Sequence, residues 1–308
     1  MDYFPRPVLK KDAMKNKITW FFLLLLGFCF VGMGIFLVYT FFRPDVSIGQ
    51  RIALIELEGE IVDARDVVQQ FKKYGDDDSV DAIVFRIESP GGGIPPSQEI
   101  FDIVRKTRLK GKPVIVSMGS VAASGGYYVA CAADTIVANP GTITGSIGVI
   151  IQYPNIDGLL DKIGVRFTTI KSGEFKDALS PFRGLAPHES AYLQNFVMNA
   201  YGQFVRAVAE ERGLDTAYVK QQADGRVFTG EQALELKLVD VLGSYDDAIL
   251  LAAKRVGLEG DPQTTKERKR RPSVFELLFE EDAAAKIESA MSLPVFKSYP
   301  VVSYKYGF

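Results

Sequence analysis

Imidazole and thiol are nearly missing from this chain. Its 308 residues hold one histidine, His188, and two cysteines, Cys29 and Cys131. A zinc site built on two or three histidines is excluded within one chain, and a Ser-His-Asp triad has only His188 to draw on. Two cysteines cannot build a zinc cluster or a disulfide framework. Excess charge of one sign is missing too. Lys plus Arg number 36 against 38 Asp plus Glu, a formal −2, which gives no electrostatic reason to expect a nucleic-acid partner. The length suits one large domain or two small ones, with a core that needs no staples. Whatever chemistry occurs here works almost without imidazole and thiol.

A long uncharged run is present instead. Ile18 to Phe42 carries no charged side chain and includes Trp20-Phe21-Phe22 followed by Leu23 to Leu26. About 20 apolar residues span a bilayer, so the run is long enough with some tilt. Arg6, Lys10, Lys11, Lys15 and Lys17 precede it, which by the positive-inside rule puts the N-terminus in the cytoplasm and the body of the protein on the far side. A cleaved signal peptide has a shorter apolar region and small residues before its cleavage site, whereas here Phe41 and Phe42 precede Arg43. The expectation is an uncleaved anchor, with residues 1–17 as a basic cytoplasmic segment, 18–42 as the span and 43–50 as a linker. The two cysteines then lie in different compartments and do not pair.

From Arg51 onward the pattern alternates between strands and helices. Arg51–Leu57, Ala82–Glu88, Pro113–Met118, Thr135–Ala138, Val149–Gln152 and Arg166–Lys171 read as strands. Val67–Tyr74, a stretch from about Pro96, and Pro187–Gly213 read as helices, the last with Leu193, Phe196, Val197, Ala200, Phe204, Val205 and Val208 on one face and Gly213 as its stop. Thr229 with Gln232 forms a capping box for a short helix through Leu236. The alternation implies an α/β domain over 51–258 with a largely parallel sheet. Residues 259–308 form a basic linker and tail. Lys266, Arg268, Lys269, Arg270 and Arg271 read as a solvated run, with anionic lipid headgroups as the alternative contact.

Three small-residue segments could carry chemistry. Ala122-Ala-Ser124-Gly-Gly-Tyr-Tyr128 follows a strand and opens a helix, so the Ser124 hydroxyl would sit by helix N–H groups and Gly125 could offer its N–H to an oxyanion. A tightly packed helix with Ser124 as filler is the bland alternative. Ser89-Pro-Gly-Gly-Gly93, also after a strand, lacks the spacing of a phosphate loop; it is either an ordinary turn or the second half of an oxyanion hole. A serine nucleophile needs a base. His188 follows Pro187 among polar neighbours and reads as a solvated first-turn residue, while Lys176, in Ser172-Gly-Glu-Phe-Lys-Asp177, can serve if desolvation lowers its pKa. Ser146, in Thr144-Gly-Ser-Ile-Gly148, is either a turn residue or a partner for a neutral amine.

In this order, Ser-Pro-Gly-Gly-Gly at 89–93, Ala-Ser-Gly-Gly-Tyr-Tyr at 123–128, Thr-Gly-Ser-Ile-Gly at 144–148 and Ser-Gly-x-x-Lys-Asp at 172–177 resemble the short form of the bacterial signal peptide peptidase A family. Ala223-Asp-Gly-Arg-Val-Phe-Thr-Gly230 and Leu238-Val-Asp240 complete the series, and the resemblance runs from about Arg51 to Val256 plus the anchor. It implies a membrane-anchored serine protease with Ser124 as nucleophile and Lys176 as general base. Ser146 would position the lysine, and the N–H groups of Gly92 and Gly125 would form the oxyanion hole. The implied fold is the spiral α/β architecture shared by the caseinolytic protease and the crotonases. The implied substrates are remnant signal peptides and other extended or unfolded chains. The resemblance also implies an inner-membrane location and a ring of subunits in which serine and lysine of one site come from neighbouring copies. No cofactor, metal or nucleic acid is implied. In some relatives the C-terminus occupies the active-site groove, and Pro300–Tyr304 is extended enough to do so.

Two other classes share parts of the pattern. A crotonase-like acyl-CoA enzyme uses similar glycine oxyanion holes, and an anchored scaffold with a vestigial dyad would keep the fold without turnover.

Overall fold

The computed structural model describes residues 21, 23–36, 51–258, 260, 262–267 and 301–305. The chain divides into two units, residues 1–48 and 49–308. In the first, residues 23–36 form a helix, α1, whose side chains are all exposed, Phe28 and Leu24 most fully. Among the described residues no helix is long and apolar enough to cross a membrane. The remainder of the expected 18–42 span, apart from Phe21, lies outside the described residues, as does the basic N-terminus.

The second unit is built on runs of Ile, Val and Ala that bury both faces, as parallel strands do. Its main sheet runs β10 (Gln263–Lys266), β1 (Arg51–Glu58), β2 (Val80–Ser89), β4 (Val114–Ala123), β5 (Thr135–Ala138) and β9 (Val241–Leu242), with all these pairings parallel. On one face lie α2 (Arg65–Gly75), α3 (Ile94–Leu109), α4 (Gly125–Ala130) and α6 (Pro187–Arg212), around Phe71, Phe85, Ile100, Tyr127 and Phe204. On the other, α9 (Tyr245–Arg255) covers Ile52, Val84, Ile115 and Val137 with Ala248 and Ala252. Gln263–Lys266, at the head of the basic run, is an edge strand, with Lys266 paired to Glu56 at 2.6 Å; Arg268 to Arg271 lie outside the described residues.

β4 is longer than its apolar run predicts, because it changes partners. Its first half pairs with β5, and its small-residue end, Val121–Ala123, pairs in parallel with β6 (Ile143–Gly145), which in turn pairs with β8 (Val227–Thr229). At the change of partner the ladder to β2 skips from Ile87 to Ser89. There the Glu88 carboxylate accepts from the N–H groups of Ser120 (2.7 Å) and Val121 (3.1 Å) in place of strand carbonyls.

The second sheet is small and antiparallel: β3 (Gly91–Gly93), β11 (Val301–Lys305) and β7 (Ile150–Gln152). The C-terminal strand therefore lies between a glycine strand and β7, more than a hundred residues away in sequence from either.

Arg166–Lys171, expected as a strand, is irregular. Its aromatic and β-branched residues, Phe167 to Ile170, suit a strand, but no neighbouring strand accepts it. Phe167 stacks instead on Phe182 with centroids 3.9 Å apart, and Ile170 is 98% exposed. The long helix α6 ends at Gly213 in the left-handed conformation (φ 63°), as its stop signal implies. Only the second half of its apolar face is buried: Ala200, Phe204, Val205 and Val208 face the core, whereas Phe196 is exposed.

Candidate active site

Ser124 stands at the junction of β4 and α4 with φ 52°, a conformation that L-residues avoid. Its backbone is over-determined. Ser124 N–H donates to the Gly145 carbonyl (2.8 Å), and its own carbonyl accepts from Tyr128 N–H (2.8 Å). The side chain is 1% exposed, and its Oγ has no hydrogen-bond partner among the described residues. A buried hydroxyl left unpaired costs about 1–3 kcal/mol, so this one is held at a sharp turn against its own preference. Because α4 spans only six residues, its dipole contributes little, and any oxyanion stabilisation rests on particular N–H groups.

Two such groups converge here. Ile61 N–H donates to Gly91 O (2.9 Å) and Gly93 N–H donates to Ile61 O (2.8 Å), so strand alternation turns the N–H and C=O of Gly92 to the opposite side. That side faces β11, where Tyr304 is the register partner of Gly92. Gly125 N–H, the first of α4, has no acceptor within its helix. A Cβ on Gly91 would lie 2.2 Å from the Tyr304 carbonyl oxygen and 2.7 Å from Gly125 N, which places that carbonyl among Gly91, Gly92 and Gly125. Gly91 itself has φ +99°, so glycine is required there for both space and conformation.

The Tyr304 side chain is fully buried against Tyr128 (5.3 Å between centroids) and Phe204 (4.7 Å), and its hydroxyl donates to the Ala200 carbonyl at 3.4 Å. Burial pushes the Tyr128 phenol up to about 12. A groove of about 620 Å³, lined by Ile61, Gly93, Pro96, Phe196 and Gln203, shares Ala200 with this pocket. The arrangement holds an extended chain as a strand, with one backbone carbonyl beside the glycine N–H groups and the side chain of that residue in an aromatic pocket.

Of the other sequence candidates, Ser146 is brought to Ser124 by the β4–β6 pairing, in which Ala123 and Gly145 are partners. It too is buried with a left-handed φ of 51°, and its N–H donates to the Arg226 carbonyl (2.8 Å). Lys176 makes no hydrogen bond to Ser124 Oγ within one chain. It is exposed on a 3₁₀ turn, Glu174–Asp177, in an arm whose helix α5 (Asp157–Ile163) buries nothing. His188 is half exposed in the first turn of α6, with Nε2 3.0 Å from Glu174. The later motif residues have structural roles: Leu238 O accepts from Tyr127 Oη (3.0 Å), and Asp240 holds Ile136 N–H and Arg212. Sequence reasoning missed Gly91, the Tyr304 pocket, and the charged group around Arg183. Among the described residues no cluster of three His, Cys, Asp or Glu side chains is placed to hold a metal ion.

A model of Peptidase family S49 matches residues 106–259, half of the chain, and a model of Clp protease matches residues 45–142. A Synechocystis protein provisionally named as a protease is 47% identical over 216 residues, covering 70% of this chain and 78% of that one. The chain belongs to peptidase family S49. A Methanocaldococcus jannaschii protein, also provisionally named as a protease, is 36% identical, covering 71% of this chain and 76% of its own length. An Enterococcus faecium protein carrying the name signal peptide peptidase SppA is 44% identical over 58% of this chain and 52% of its own. As an S49 peptidase of the signal peptide peptidase A family, the protein is a serine peptidase on a mixed α/β fold with a Clp protease-like region.

Proposed function

We propose that this S49 peptidase is a membrane-anchored endopeptidase that hydrolyses remnant signal peptides and other extended chains, with Ser124 as nucleophile and Lys176 as general base. The observation that carries the reading is the unpaired, buried Ser124 hydroxyl next to a glycine strand that already pairs with an extended segment. Neutral Lys176 takes the Ser124 proton as Oγ attacks the carbonyl carbon. The N–H groups of Gly92 and Gly125 stabilise the tetrahedral oxyanion, a contribution of about 3–4 kcal/mol per donor in other enzymes. The protonated lysine then passes its proton to the leaving amine, and water, activated by the same amine, hydrolyses the acyl-enzyme. Ser146, beside Ser124, orients the lysine.

Because Lys176 is exposed and makes no hydrogen bond to Ser124 Oγ within the chain, the base comes from a neighbouring subunit. The exposed apolar residues of the arm and of the first half of α6, among them Ile163, Ile170, Phe175, Tyr192 and Phe196, supply surface for that contact. An anchor at 18–42 would tether the peptidase to the inner membrane with its catalytic unit on the extracytoplasmic side, where signal peptides are left. The bilayer is thus a partner, and ring assembly is part of catalysis.

The test is peptidase activity and Ser124 labelling by a serine-directed acylating probe in wild type, Ser124→Ala and Lys176→Ala. Both variants lose turnover on this reading. Mixing the two inactive variants restores a fraction of it, since a mixed ring contains an intact Ser124 facing an intact Lys176. Full activity in Lys176→Ala overturns the dyad.

A further inference from the structure

The arm that carries Lys176 has almost no apolar core. Neither α5 nor the 3₁₀ turn buries a residue, and Ala178 is the one buried apolar side chain between Tyr153 and Ala186. Packing therefore does not explain how a lysine on this arm is presented at a fixed place. A charged group does. Arg183 grips the Asp177 carboxylate with its fork, Nε to Oδ2 at 3.0 Å and Nη2 to Oδ1 at 2.7 Å. The same guanidinium holds Glu189, Nη1 to Oε2 at 2.8 Å and Nη2 to Oε1 at 2.5 Å. Glu189 is 2% exposed in the first turn of α6 and also accepts from Ala186 N–H (2.9 Å). Lys171 closes the other side, donating to Asp177 Oδ1 (2.6 Å) and to the Glu174 carbonyl (2.8 Å). The turn 174–177 is thus tied to the first turn of helix α6 through residue 177, immediately after Lys176.

We infer that Arg183, with Asp177 and Glu189, is a positioning clamp for Lys176: it fixes the turn bearing the base and neutralises the carboxylate next to it. The inference rests on Lys176 being the base. A lysine that must lose its proton is hindered by an unpaired carboxylate nearby, which favours the ammonium form. Here two cations, Lys171 and Arg183, face two anions, Asp177 and Glu189, and the group is balanced. The remaining charged neighbours, His188 and Glu174, pair with each other at 3.0 Å, and Asp157 at the start of α5 approaches Gly184. Arg183 holds both carboxylates well below their usual range, Glu189 at about 2, and both raise the Arg183 guanidinium in turn.

The experiment follows the pH–activity profile of the assembled full-length protein in four variants. Arg183→Met leaves Asp177 paired with Lys171 alone. Its turnover should fall about tenfold at neutral pH, and its alkaline limb should move up by roughly one pH unit. Arg183→Met with Asp177→Asn should return the limb to its wild-type position while turnover stays low, because the charge is gone but so is the tie. Arg183→Lys keeps a cation without the fork, so turnover falls and the limb does not move. Lys176→Ala in the same assay separates the two ideas. If it is active, the reading of the base fails. If it is inactive while Arg183→Met matches wild type in both turnover and limb, the clamp alone is overturned. Should Arg183→Met not assemble, Arg183→Lys decides: reduced turnover with an unmoved limb supports the clamp, and unchanged turnover rejects it.

Discussion

Ser124 and Ser146 occupy the same position on two paired strands. Each is the first residue beyond the Ala123–Gly145 pair, each is buried, and each turns out of its strand with a left-handed φ, 52° and 51°. Two β-carbons in a conformation that favours glycine, one strand apart, is strain held at two buried hydroxyls. The β4–β6 pairing therefore delivers two hydroxyls together, and Gly in place of either serine removes the group while relaxing the backbone.

Ser124→Ala should stabilise the protein as it abolishes turnover. Replacing the hydroxymethyl side chain by a methyl removes an unpaired buried hydroxyl and its desolvation cost of about 1 kcal/mol or more. Urea unfolding should show a higher midpoint than wild type, with peptide hydrolysis at background. A lower midpoint would mean that Oγ has a partner in the free enzyme.

Gly91→Ala and Gly92→Ala should fail differently. At Gly92 a Cβ would lie 2.3 Å from Ile61 O and 2.5 Å from Ile61 N, so backbone must move and the fold itself suffers. At Gly91 the contacts are the Tyr304 carbonyl and Gly125 N, and the φ of +99° adds roughly 1–3 kcal/mol of strain. Gly92→Ala should unfold at markedly lower denaturant. Gly91→Ala should stay folded by circular dichroism with kcat/KM reduced more than a hundredfold.

Removal of residues 301–308 should raise activity on added peptides. β11 pairs with both β3 and β7 and fills the aromatic pocket with Tyr304, so an incoming chain has to displace it. KM should fall while kcat is nearly unchanged. Tyr304→Ala should give part of the same effect, and an unchanged KM in both would show that substrate binds elsewhere.

Acid should release the arm before the core. Glu189 and Asp177 are both held below their ordinary values, so their contribution is complete above the usual glutamate value of 4.5 and is lost as the pH falls toward about 2. Amide exchange between residues 157 and 186 should accelerate over that window while β1, β2 and β4 remain protected. On the proposed lysine-base mechanism turnover runs the other way and should rise toward alkaline pH.

What could be read beforehand depended on how local its cause was. Gly92, Gly125, Ser124 and Ser146 were named through the family resemblance, whereas their own residues left each open between a turn and a site. What was local and legible is that turns at strand ends select small residues. The helix through Arg212 and the box at Thr229 and Gln232 were legible for the same local reason. Arg183 was not, since a single arginine in a loop has no periodicity and its partners lie six residues away on either side. Arg166–Lys171 has the aromatic and β-branched residues of a strand, but pairing depends on a neighbour that its own residues do not specify. The exposed first half of the α6 stripe shows the converse: helical spacing marks a face to be covered without naming what covers it.

If an incoming chain displaces the C-terminal strand, the groove is a two-state element. Every affinity measured on the intact chain is an intrinsic affinity scaled by the fraction of grooves that stand open. If that fraction were one in a hundred, the strand would hold its place by only about 2.8 kcal/mol, and substrates would bind a hundredfold more weakly than the pocket allows. So small a preference is within reach of one aromatic side chain and a few strand hydrogen bonds. The enzyme would then select for chains that can supply as much, and would be slow toward those that cannot.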